Sequence, residues 1–264
     1  MIYNSPLDYL PLWMMFVATV GVVLVAVEIG YQLGRYRRTH APETDAPVGA
    51  MVGATLGLLA FILAFTFGLA ASRFDERRRT VLDEANAIGT TYLRAGTLDE
   101  PERTETRRLL REYVDLRLSA IEQGKIEPLL PESARLHNQL WSQAEAAARK
   151  DRSDVTGLFL ESLNQTIDLH ATRLMVGLRS RIPLTIWGAL YSVALLTMAT
   201  MGYQEGLSGT RRSIASLAVV IIFSIVMLLI VDLDRPLEGQ LRTSQQPLID
   251  LQKSMAADIA GAAK

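Results

Sequence analysis

The chain has 264 residues, 27 Lys and Arg against 28 Asp and Glu, and no cysteine. The missing thiol excludes disulfides, thiolate metal sites, iron–sulfur clusters and a cysteine nucleophile. A net charge of -1 argues against a nucleic-acid partner, which would call for a basic excess.

Apolar residues, 49% of the chain, fall into four blocks separated by a charged one, the pattern of a polytopic membrane protein. The first block covers about residues 11–33. Leu12 to Val27 carries no charge, and Trp13 and Tyr31 suit the two interfacial belts. Glu28 is an intramembrane acid, a functional candidate by default. With Arg35, Arg37 and Arg38 within two turns, it equally marks the headgroup boundary. The start, Met1-Ile-Tyr-Asn-Ser-Pro-Leu-Asp8, has no basic residue, so this block reads as an uncleaved span rather than a signal peptide.

The second block covers 48–72, the third 182–203 and the fourth 213–231, each long enough to cross about 30 Å of hydrocarbon. The expected fold is all-α: an integral membrane protein with four transmembrane helices and a helical-bundle soluble domain inserted between spans 2 and 3. The expected divisions are a transmembrane hairpin over 1–72, the bundle over 73–181, a second hairpin over 182–231 and an amphipathic helical tail over 232–264.

Within the bundle, no breaker separates Gly68 from Gly89, so span two is expected to continue outward. Asp99 suits the N-cap of a helix ended by Gly124. Pro131 opens another reaching about Lys150, and Ser153 or Asp154 caps a last one running into the membrane near Arg181. Leu109, Tyr113 and Leu116, then Leu136, Leu140 and Ala144, then Leu160, Leu163 and Ile167 recur at helical spacing, as an amphipathic bundle requires. In the tail Leu248, Leu251 and Met255 repeat the pattern, and Ala256 to Lys264 is expected to fray.

Span two carries the most information. Gly49, Gly53 and Gly57 form a small-residue ridge at four-residue spacing, continued one step round by Ala60, Ala64 and Gly68. Such ridges let helices approach closely in lipid, either within one chain or at an oligomer axis. Phe61, Phe65 and Leu69, also at four-residue spacing, would stack as apolar rings around an axis and gate ions by dewetting. The alternative is lipid-facing or core aromatics. A polar group is expected at the membrane border: Asp83, Glu84 and Asn86 after span two, Asn164 and Asp168 with His170 and Arg173 nearby, and Asp232, Asp234 and Arg235 after span four. Its oxygens suit Ca²⁺ and its arginines suit anions such as chloride or lipid headgroups. An interhelical salt-bridge network explains the same residues. No ligand loop makes a metal site specific, and no cofactor is indicated.

Enzyme motifs are missing: there is no Walker loop, no G-x-S-x-G and no H-E-x-x-H. Binding or permeation is therefore expected over catalysis. On orientation, Arg35, Arg37, Arg38, Arg211 and Arg212 in the two short loops favour cytoplasmic loops and an external bundle.

The segments Gly57-Leu-Leu-Ala-Phe-Ile-Leu-Ala-Phe-Thr-Phe-Gly68, Asp83-Glu-Ala-Asn-Ala-Ile-Gly-Thr-Thr-Tyr-Leu-Arg94, Ser162-Leu-Asn-Gln-Thr-Ile-Asp168, Met201-Gly-Tyr-Gln-Glu-Gly206, Asp232-Leu-Asp-Arg-Pro236 and Ser244-Gln-Gln-Pro-Leu-Ile-Asp-Leu251 resemble the bacterial bestrophin-like membrane proteins. Bestrophins are pentameric anion channels whose second span lines an apolar neck. The resemblance therefore implies a homo-oligomer in the lipid bilayer, a neck at Phe61, Phe65 and Leu69, and an inner-membrane protein with a cytoplasmic bundle and cytoplasmic termini. That last implication opposes the loop charges, and we side with the resemblance. No bestrophin-type acidic Ca²⁺ clasp aligns. The other reading is a non-conducting scaffold or sensor whose bundle binds a protein partner.

Overall fold

The computed structural model describes residues 10–40, 45–122, 127–209, 214–235 and 240–262. The expectations placed on the first eight residues, Gly124, Arg211, Arg212 and Pro236 lie outside them. The described elements are helical: α1 Leu12–His40, α2 Asp45–Ala95, α3 Glu102–Glu122, α4 Leu130–Lys150, α5 Asp154–Leu174, α6 Leu184–Ser208, α7 Ile214–Asp234 and α8 Gln246–Ala262. Four of them, α1, α2, α6 and α7, are long and apolar enough to cross a membrane. The fold is thus all-α with four candidate spans.

Two compact units form. One comprises residues 1–74 and 181–242, the other 75–180 and 243–264. Helix α2, 51 residues without a break, contributes to both.

In the first unit the closest packing joins α1 to α6. A methyl group at Gly30 would run into the Ala199 carbonyl, and one at Gly34 into the Tyr203 carbonyl. Reciprocally, Gly202 faces the Val27 carbonyl and Gly206 that of Tyr31. Small residues four apart on both helices thus bring backbone onto backbone, the packing that drives association where lipid removes the hydrophobic incentive. Thr19 Oγ1 and Tyr191 Oη, 3.0 Å apart, add a polar link across the same pair. Val23, Leu190, Ala194, Met198 and Ile230 are fully buried around them. Helix α6 stops at Gly209, whose φ of 68° lies in the left-handed region that a glycine enters without strain.

Polar residues at the C-terminal end of α7 tie segments of this unit together. Asp234 Oδ1 accepts from the Ile182 amide at 3.0 Å. Asp232 accepts from the amides of Gln240 at 2.9 Å and Leu241 at 3.2 Å. Arg235 Nη2 donates to the Leu10 carbonyl at 2.5 Å. These three side chains are buried and pair with backbone groups in the segments that precede α1, α6 and α8.

The second unit packs the end of α2 with α3, α4, α5 and α8 around Ile88, Leu109, Leu110, Val114, Leu136, Leu140, Phe159, Leu163 and Leu248. Each such side chain contributes roughly 1.5–3 kcal/mol relative to exposure. Pro131 sits in the first turn of α4, and Ser153 caps α5 by accepting from the Thr156 amide. Helix α5 ends at Leu174 and continues as a π-helix, Met175–Arg179, close to the expected end near Arg181; non-helical residues then lead to Pro183, and proline disfavours helical backbone in the residue before it. One sequence expectation needs correction. The tail does not fray at Ala256: α8 holds to Ala262, since Met255 is buried against the bundle and Asp258 is tied to Tyr92 and Arg107, each at 3.0 Å.

Candidate functional site

The membrane part of α2 is the most sparsely packed of the four candidate spans, with 11% of its apolar window buried against 39% in α7. Its inward side is a single line, Val52, Leu59, Thr66 and Ala70. Its outward side is bare. Phe61 and Phe65 are 69% and 70% exposed, and Ala60 and Ala64 are exposed beside them. Gly53, Gly57 and Gly68 have no neighbouring atom within 4 Å of where a side chain would begin, whereas Gly49 meets the Gln204 side chain of α6. The ridge therefore takes little part in packing within this chain. The glycines that do, on α1 and α6, were missed in the sequence. Their i,i+4 spacing was a visible signal.

Leu69 does not share the bare face. It is half-buried and packs on the core of the first unit. Each four-residue step turns an α-helix by about 40°, so Leu69 has rotated about 80° from Phe61. Glu28 accepts from Gln32 Nε2 at 2.9 Å on an exposed stretch of α1.

The second unit gathers a different group of residues. Glu84, fully buried on α2, faces Arg117 of α3 (Nε to Oε1 3.1 Å) and Arg173 of α5. Tyr113 Oη, also fully buried, lies 3.2 Å from Glu84 Oε1 and 2.9 Å from His170 Nδ1. His137 of α4 stacks edge-on to His170 with ring centroids 4.8 Å apart, and lies 4.9 Å from the Tyr113 ring. Arg173 also donates to Gln245 Oε1 at 2.6 Å, just before α8. Nearby, Thr91 and Thr166 hydroxyls meet at 2.9 Å between α2 and α5.

Burial alone would raise the Glu84 carboxyl, but Arg173 and then Arg117 outweigh it and hold it below the usual range. Burial, then the Glu84 charge, pushes Tyr113 well up. Burial, then Arg117, pushes both imidazoles down to about 4. The cluster thus holds one carboxylate, two guanidiniums, a neutral phenol and two neutral imidazoles at neutral pH.

The expected polar border splits accordingly. Glu84, His170 and Arg173 converge inside the bundle. Asn86 is exposed, and the Asn164 and Asp168 side chains bond each other at 3.3 Å on the exposed side of α5. The reason is register: His170 lies six residues past Asn164, about 240° round the helix. Asp232, Asp234 and Arg235 bond backbone groups in the connecting segments of the other unit. Tyr113, Arg117 and His137 were missed as polar partners because nothing local announces their convergence. Among the described residues no group of three or more His, Asp or Glu is placed to hold a metal ion.

The fold and its family agree. The Bestrophin-like domain matches residues 14–248, and the chain belongs to the bestrophin-like family. Two solved structures of a bacterial bestrophin homologue from Klebsiella pneumoniae share its fold. A point mutant has a TM-score of 0.64 at 16% identity, covering 93% of this chain and 99% of the other. A second, phased with zinc, has 0.62 at 18% identity, covering 93% and 96%. No curated protein matches.

Proposed function

We propose that this membrane protein assembles as a homo-oligomer around α2 and forms an ion pathway, selective for anions, with Phe61 and Phe65 at its apolar constriction. One observation carries the reading: two bare phenylalanines and a line of unoccupied glycines share the outward side of α2, while the glycines in close backbone-to-backbone contact lie on α1 and α6. Family membership supports it, since bestrophins are anion channels. Leu69, half-buried in one chain, is a less direct part of the constriction than the two phenylalanines. We place the protein in the inner membrane with the bundle and termini cytoplasmic, and we assign it no enzymatic activity. The bound species would be permeant ions such as chloride, with Ca²⁺ as a regulator only if a site forms between copies. Purified protein in planar bilayers tests conduction. Replacing Phe61 and Phe65 together by alanine is expected to alter conductance, and absence of current from wild type in every ionic condition would refute it.

A second reading, a non-conducting scaffold, is favoured by one feature: an open groove of about 310 Å³ between α3 and α8, lined by Arg111, Val114, Asp115, Lys253, Met255 and Ile259. A monomeric or dimeric particle with a protein bound there would select it.

A further inference from the structure

Helices α2, α3, α4 and α5 each send a charged or polar side chain to one buried cluster, and a residue just before α8 joins them. Helix α2 supplies Glu84, α3 supplies Tyr113 and Arg117, α4 supplies His137, α5 supplies His170 and Arg173, and the residue before α8 supplies Gln245. Glu84 is the only carboxylate among them, and it is already shared by two guanidiniums. The cluster therefore carries one positive charge in excess before any imidazole is protonated. A proton on His170 would add a second excess charge, and the ring faces Arg117, Arg173 and His137 from three different helices. Its Nδ1 already donates to Tyr113, which donates to Glu84, so the added proton has to go on Nε2. A proton on His137 fares no better. Its Nε2 is buried with no hydrogen-bond partner among the described residues, so the imidazolium would bury an unpaired donor.

We propose that this cluster is an acid-operated latch: protons taken up by His137 and His170 drive the bundle open at Glu84, releasing α3, α4 and α5 from the end of α2. The closed bundle keeps its imidazoles neutral and the opened one lets them charge, so falling pH favours the opened form by mass action. For each proton taken up, the opened population grows about tenfold per pH unit below about 6.5. The inference does not depend on conduction, because opening is read on the bundle itself.

Hydrogen–deuterium exchange on the full-length protein in detergent micelles, at pH 7.5 and 5.0 with rates corrected for intrinsic exchange, tests it. Peptides covering 84–92, 110–117 and 163–173 are expected to exchange at least tenfold faster at pH 5.0, with peptides of α6 and α7 unchanged. The variant carrying both His137→Gln and His170→Gln is expected to lose that response. Equal corrected rates at the two pH values in wild type would overturn the proposal, as would a double variant that keeps the wild-type response. Should the double variant not fold, histidine NMR of wild type decides. Resonances of both bundle imidazoles that titrate near 6.5 while exchange protection persists overturn it. Resonances that stay neutral until protection is lost support it.

Discussion

Tyr113 Oη lies between Glu84 Oε1 at 3.2 Å and His170 Nδ1 at 2.9 Å, and a phenol has one proton to give. Whichever partner receives it, the other contact must be made on the phenol's lone pairs. A carboxylate can only accept, so Tyr113 donates to Glu84 and His170 carries its proton on Nδ1. Tyr113→Phe removes both bonds without removing the ring. It is expected to cost about 1–3 kcal/mol, read as a fall in the melting temperature of the purified protein, with its secondary structure by circular dichroism intact.

Glu84→Gln keeps the shape and deletes the charge. Arg117 and Arg173 then remain buried without a counter-ion. Breaking a buried ion pair in this way costs about 3–5 kcal/mol, so this variant is expected to melt lower than Tyr113→Phe. A Glu84→Gln protein as stable as wild type would show that the two guanidiniums reach solvent.

Stability should depend on pH in a defined window. An unfolded imidazole titrates near 6.5, while both bundle imidazoles are pushed down to about 4. The unfolded chain binds protons first, and folding stability falls progressively as pH drops from about 6.5 to 4. Glu84, lowered from 4.5, adds a further loss at and below that value, because its contribution is present only while it is ionised. Melting temperatures from pH 8 to 4 are expected to be level above 6.5 and to decline below it. The decline between 6.5 and 4.5 should be shallower in His170→Gln.

Two glycine positions should respond oppositely. Gly30→Leu forces a side chain into the Ala199 carbonyl and is expected to abolish stable folding of the chain, seen as aggregation during size-exclusion chromatography. At Gly57 a side chain would begin with no atom within 4 Å, and Gly57→Leu tests that open face. It should leave the protomer folded and change only the particle mass measured by light scattering. An unchanged mass would remove α2 from the oligomer interface.

The chain lacks cysteine, so one introduced thiol reports on topology without background. Asn138→Cys, on the exposed side of α4, is expected to react with a membrane-impermeant maleimide in inverted vesicles and not in intact cells. The reverse result would return the orientation to that favoured by the short-loop arginines.

The parts of the fold that local composition governs were legible in the sequence. Apolar blocks announced the four spans, and Pro131, Ser153 and the unbroken run past Gly68 announced helix ends and continuity. What escaped was pairing. Gly30 and Gly34 sit beside Glu28 and three arginines, where an interfacial reading is natural, and nothing near them names Gly202 and Gly206 as partners. Tyr113 was counted in an apolar stripe because its ring belongs there; only its hydroxyl joins the cluster. Leu69 was grouped with Phe61 and Phe65 by spacing, and the 40° drift per four-residue step separated them.

The glycine contact between α1 and α6 also constrains how the protein is made. Its linked residues, such as Thr19 and Tyr191, lie 172 positions apart. During synthesis α1 is made before α2 and the bundle, and all of these precede α6. Through that interval α1 lacks the α6 backbone that its glycines meet in the folded chain. Assembly of the membrane unit is therefore late and post-insertional. An early-truncated chain would leave α1 in the bilayer without the neighbour it is shaped to meet.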